Sequence, residues 1–129
     1  RANIMSHRVE GVATARQSNM FGELSETDRF DVVFWNANFI LAKEPVVDMY
    51  ERAFFDFNYL CHEMYVRNVL KFLNPGGRAL LGFSSLGDYY LLKKICRKHD
   101  LGLKLLSSED SQEQGSPSYH LLQIEASQW

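Results

Sequence analysis

The amino-acid sequence predicts an α/β fold, a layer of parallel strands joined by right-handed helical crossovers. Three observations predict it. The short apolar runs at 30–36 and 78–85, rich in Val, Leu and aromatic residues, read as strands buried on both faces, as in parallel sheets. A helical pattern stands between them at 58–73, and another follows at 88–99. The last two strand-like runs, 101–106 and 119–125, have no helix between them. The polar loop that joins them, about a dozen residues, is short for a parallel crossover, so this pair is expected to be antiparallel.

Taken in order, Arg1-Ala2-Asn3-Ile4-Met5 reads as the end of a helix whose tail runs to residue 7, and the chain is expected to be a piece of something longer. Residues 9–18 alternate in part, with Val9, Val12 and Ala15 apolar, and predict a strand. Ser18-Asn19-Met20-Phe21-Gly22 leaves that strand, and Ser25-Glu26-Thr27-Asp28 is a solvated turn. The central strand, 30–36, stops at Asn36. In open α/β sheets ligands bind outside the carboxyl ends of the strands, which makes Asn36-Ala37-Asn38-Phe39 a candidate site. Asn is also a good turn residue, so a plain turn fits equally well.

Pro45 disfavours a helix through Lys43-Glu44, and a short helix is expected to restart within 46–55. The aromatics Tyr50, Phe54, Phe55, Phe57 and Tyr59 read either as a cover for the sheet or as a wall over the Asn36 crevice. In the helix at 58–73, Cys61, Tyr65, Val66, Val69, Phe72 and Leu73 share one face. Glu63, Arg67 and Lys71 share the other, and Asn58 is the expected N-cap. Asn74-Pro75-Gly76-Gly77 is expected to stop the helix as a turn. Gly87-Asp88 opens the next helix, with Leu91, Leu92, Ile95 and Cys96 inward.

One domain fits 129 residues, and 46% apolar composition is ample for one core. A net charge of −2 argues against a large nucleic-acid footprint. No apolar run approaches the ~18 residues of a membrane span. Cys61 and Cys96 belong to no Cys-x-x-Cys and read as reduced thiols of a cytoplasmic protein. Cys61-His62-Glu63 lacks the second His of a zinc-binding His-Glu-x-x-His, so no metal is expected. His7, His99 and His120 are scattered. Lys93, Lys94, Arg97, Lys98 and His99 read as a solvated basic face, with a phosphate or RNA patch as the alternative.

The ordered set of Phe30-Asp31-Val32-Val33 with Asn36, then Leu73-Asn74-Pro75-Gly76-Gly77-Arg78-Ala79-Leu80-Leu81, then a helix-free closing pair resembles the second half of class I S-adenosylmethionine-dependent methyltransferases. The resemblance implies a part of a Rossmann-like doubly wound sheet, strands 3 to 7 with the last antiparallel. It makes residues 1–129 the carboxyl-terminal part of one methyltransferase domain. The family's sheet order is 3-2-1-4-5-7-6, so residues 10–18, as strand three, are expected not to pair with 30–36, as strand four. Asn36-Ala37-Asn38-Phe39 is similar to the Asn-Pro-Pro-(Tyr/Phe) motif of enzymes that methylate planar nitrogen, such as the release-factor glutamine and adenine-N6 methyltransferases.

That similarity implies catalytic roles for Asn36, which would orient a substrate N–H, and Phe39, which would stack on a planar substrate. Both prolines are replaced, by Ala37 and Asn38. These two residues and Ser84 are the expected substrate-binding positions, with a cap on the next helix as the alternative for Ser84. Asn19, Met20 and Phe21 are the expected contacts for the cofactor's adenine, with a strand-ending turn as the alternative for Asn19. The substrate implied is a small molecule or a protein side chain. The family's Gly-rich loop has no counterpart here, because the sequence contains no Gly-x-Gly-x-x-Gly. A methyltransferase-like binding module without activity is the competing expectation.

Overall fold

The computed structural model describes residues 11–110 and 115–127. In chain order its elements are β1 (Phe30–Asn36), β2 (Ile40–Ala42), α1 (Met49–Arg52), β3 (Phe55–Phe57), α2 (Leu60–Asn68), β4 (Leu73–Ser84), α3 (Tyr89–Lys98), β5 (Leu101–Asp110) and β6 (Ser118–Ala126). A 3-10 turn, Val69–Phe72, continues α2 into β4.

The main sheet is mixed, four strands in the order β1-β4-β6-β5. β1 runs parallel to β4, and β6 is antiparallel to both β4 and β5. The expected antiparallel closing pair is therefore present, and β5 runs four residues beyond the predicted end of its strand. Alternation along each strand sorts the side chains onto two faces. Ala79, Leu81, Phe83, Leu122 and Ile124 lie on one face, in a single core with Tyr65 and Val66 of α2 and Leu92, Ile95 and Cys96 of α3. Val33 and Trp35 of β1 pack against that core. On the opposite face Val32 and Phe34 are each 56% exposed.

α3 follows its sequence signals closely. Asp88 is its N-cap and accepts from the Leu91 N–H at 2.9 Å, as a short acceptor at a helix start should. At its other end Lys98 and His99 both reach Glu63 of α2, at 3.1 and 2.8 Å, so part of the basic cluster fastens the two helices together. Lys93 lies over the Tyr89 ring at 5.8 Å.

Several expectations are corrected. Residues 11–18 form no strand, and Val12 is 89% exposed. A lone extended segment has no ladder to satisfy its backbone groups, so the local alternation finds nothing to build on. Residues 9 and 10, the helix tail at 1–7 and His7 lie outside the described residues. β1 is not buried on both faces, because it is the sheet's edge and its outer face carries no helix among the described residues. Because residues 11–18 form no strand, the strand three expected there has no counterpart among the described residues.

Asn74-Pro75-Gly76-Gly77 is not a separating turn. It is a bulge inside β4, where Phe30 pairs with Leu73 but Val32 already pairs with Arg78. Gly76 takes φ +80°, and a Cβ on Gly77 would stand 3.0 Å from the Phe30 carbonyl oxygen and 2.9 Å from that of Asn74. Only glycines fit such a crowded, left-handed detour. The helix at 58–73 is shorter, ending at Asn68 before the 3-10 turn. The expected restart within 46–55 is the four-residue α1, capped by Asp48. It bridges two three-residue strands, β2 and β3, which pair in parallel as a separate ribbon.

Candidate functional site

β1 and β4 are parallel and adjacent, so their carboxyl ends open at one place. Asn36 is the last residue of β1 and pairs with Gly82. Its side chain is exposed and makes no hydrogen bond among the described residues. A Cβ on Gly82 would stand 3.1 Å from Asn36 Oδ1, so the glycine makes room for the amide. The Ala37 N–H then donates to the Gly82 carbonyl at 3.3 Å, and Ala37 itself is buried in the core.

The next two residues turn toward the β2–β3 ribbon. Asn38 Nδ2 donates to the Phe55 carbonyl at 2.9 Å, while its Oδ1 is buried with no partner among the described residues. Phe39 is half-buried, edge-on to Phe83, with ring centroids 6.4 Å apart. Its carbonyl accepts from the Tyr59 hydroxyl, which in turn accepts from the Asp88 N–H at 2.7 Å. One buried phenol thus ties the loop after β1 to the start of α3. A Cβ on Gly87 would stand 2.8 Å from the Phe39 carbonyl oxygen and 2.4 Å from the Phe83 ring, so this approach needs glycine. Burial pushes the Tyr59 hydroxyl's pKa up to about 12, which keeps it a neutral donor.

Beneath the loop lies a buried polar group that the sequence did not announce. Asp56 and His62 are 2% and 0% exposed. Asp56 Oδ2 lies 2.6 Å from His62 Nδ1, and the carboxylate also accepts the N–H groups of Cys61 and His62 at 3.1 and 3.0 Å. Asp56 therefore caps α2. Asn58, the expected cap, sits in the left-handed region, and Tyr59 stands at the N-cap position without offering its side chain. Burial raises the Asp56 pKa, but the His62 ring and the two backbone donors outweigh it and hold the carboxyl below its ordinary 3.8. Burial and the neighbouring Asp56 push the Cys61 thiol up to about 11, so it is no thiolate nucleophile near neutral pH.

His62 stacks on Tyr59 at 4.1 Å and is tilted against Trp35 at 4.8 Å. Its Nε2 is buried with no partner among the described residues. The signal for this group was a lone Asp inside the aromatic run Phe54-Phe55-Asp56-Phe57, four residues before an α-helix. Ser84 is 1% exposed, and its Oγ accepts from the Leu86 N–H at 3.1 Å. It braces the turn into α3, whose cap is Asp88 rather than Ser84. No group of three or more His, Cys, Asp or Glu fit for a metal occurs among the described residues.

Asn36, Ala37, Asn38, Phe39 and Ser84 are thus gathered at one end of the sheet. Asn19, Met20 and Phe21 are not with them. Met20, with φ 55°, packs against the core. Asn19 and Phe21 line a cleft of about 690 Å³ together with Arg29 and Phe72, the residues just before β1 and β4. Phe21 stacks on Phe72 at 4.9 Å. This is the amino end of the parallel pair, one length of β1 away, roughly 20 Å at ~3.3 Å per residue. Among the described residues no helix is long and apolar enough to cross a membrane. No family model matches the chain. No curated protein matches it either.

Proposed function

We propose that this chain is the carboxyl-terminal part of a class I methyltransferase domain, which moves a methyl group from S-adenosylmethionine to a nitrogen or oxygen of its substrate. The observation that carries the reading is the strand order. β1-β4-β6-β5, with β6 antiparallel to both neighbours, corresponds to the 4-5-7-6 portion of the order 3-2-1-4-5-7-6. β1 also has a free edge among the described residues, where that order calls for strand one. In this reading the cofactor supplies the reactive methyl, and the chain's own part is positioning. Asn36, exposed at the strand's end, holds the substrate's N–H or O–H, and Phe39 offers an aromatic edge. The free thiols Cys61 and Cys96 suit a cytoplasmic setting.

A second reading, a methyltransferase-like module without activity, is favoured by one observation: the expected adenine contacts Asn19 and Phe21 stand at the far end of β1. Calorimetry on the full-length protein separates the two. Heat of binding with S-adenosylmethionine, followed by label transfer from its methyl group, is the expected result. No binding at millimolar cofactor would leave the inactive module. Asn36→Ala should lower kcat/KM by about ten- to a hundredfold, roughly 1–3 kcal/mol, with the fold intact. Unchanged turnover in that variant would remove Asn36 from the site.

A further inference from the structure

The cleft at the amino end of β1 has a charge that the methyl-transfer reading does not use. Its wall carries Arg29, Arg67 and Lys71 against one carboxylate, Glu26, on a chain whose net charge is −2. None of the three cations pairs with a carboxylate among the described residues. Neutral oxygens hold two of them instead. Arg29 Nη1 donates to the carbonyls of Glu26 and Asp28, both at 2.7 Å, and Lys71 Nζ donates to Asn68 Oδ1 at 3.3 Å. Carbonyl and amide oxygens hold a cation without cancelling its charge, which leaves the cleft positive.

Cations in the last turn of a helix are ordinary, since they answer the helix dipole. That accounts for Arg67, and Lys71 follows in the 3-10 turn. It does not account for Arg29, which comes from the loop before β1 and adds like charge to the same space. Beside the cations stands an aromatic wall, Phe21 stacked on Phe72 at an interplanar angle of 15°. Asn19 adds an amide that makes no side-chain hydrogen bond among the described residues and so keeps both a donor and an acceptor free. The volume, about 690 Å³, falls within the ~300–1,000 Å³ of small-molecule sites.

We propose that this cleft binds a nucleoside phosphate: the phosphate meets Arg29, Arg67 and Lys71, and the base lies along the Phe21–Phe72 wall with its edge toward Asn19. The site is independent of the Asn36 end. Its charge disfavours a sulfonium cofactor, so S-adenosylmethionine should not occupy it. The test is calorimetry on the full chain with ADP, adenosine, orthophosphate, S-adenosylmethionine and a short single-stranded RNA. ADP should bind about tenfold or more tighter than adenosine, and more weakly as salt rises. The double variant Arg67→Glu/Lys71→Glu should lose about tenfold or more, while Arg67→Lys should stay within a few fold. Arg29→Gln, on a different element, should weaken ADP alone and leave adenosine unchanged. Circular dichroism identifies any variant that fails to fold, and the remaining variants then decide. Absence of ADP binding at millimolar concentration, adenosine binding as tightly, or full affinity in the charge-reversed variants would overturn the proposal. Orthophosphate matching ADP would reduce the cleft to an anion site, and RNA binding tenfold tighter would assign it to a polymer instead.

Discussion

Two neighbouring residues on α2, His62 and Glu63, each belong to a histidine–carboxylate couple, and the couples differ in one respect. Asp56–His62 is sealed in the core at 2.6 Å. Glu63–His99 is 2.8 Å long with both side chains 22% exposed, and it shares its carboxylate with Lys98. Water can replace the partner of an exposed charge but not that of a buried one. The inner couple is therefore structural in a strong sense. Its carboxylate caps α2, and its imidazole supports the aromatic packing under the Asn36–Phe39 loop. The outer couple only fastens the ends of two helices that already share a core.

The largest expected effect breaks the inner couple. Asp56→Ala should destabilise the chain by about 3 kcal/mol or more, read from urea denaturation, because the His62 ring and the Cys61 and His62 N–H groups all lose their acceptor, at roughly 1–3 kcal/mol each. A cost equal to that of Glu63→Ala would end the contrast. The couple also has a pH signature. The Asp56 and Glu63 carboxyls both have pKa values depressed by folding, from 3.8 and 4.5. Their stabilisation is complete above those unfolded values and is lost as pH falls through the folded ones. The urea midpoint should drop on acidification below about pH 4.5, and Asp56→Asn should remove part of that fall.

Tyr59→Phe comes next. It removes one hydroxyl that joins the Phe39 carbonyl to the Asp88 N–H, and it should cost about 1–3 kcal/mol because both partners are left wanting. Faster amide exchange at Asp88 would locate the loss. The smallest effect belongs to Glu63→Gln, within about 1 kcal/mol and reduced further by salt. A thermal melt at two salt concentrations measures it.

The inner couple shows why part of the molecule was hard to read. The strands 30–36, 78–85 and 119–125 and the helix from Asp88 were legible because period and caps are local properties. The Asn74–Gly77 stretch carried an equally local signal, but Pro-Gly-Gly marks a bulge as readily as a turn, and only the partner strand decides which. β2 and β3 are three residues each, too short to show a period. Asp56, a single charge among aromatics, carries no local signal of its role, because its value lies in contacts with the helix that follows it. The Asn36 loop was legible as a strand end, whereas the supports beneath it, Tyr59, His62 and Gly87, were not. Residues 11–18 had the pattern of a strand and lacked a neighbour.

The position of β6 has a consequence for synthesis. It comes last among these strands, yet it lies between β4 and β5. While the ribosome is still making residues before Ser118, β4 and β5 have no ladder between them, and the core has a slot in place of Leu122 and Ile124. The sheet closes only when β6 inserts, after the other described strands have been translated. A nascent chain paused before residue 118 should present two unpaired edges to chaperones, and a stop codon there should yield a product cleared by proteases rather than a shortened domain.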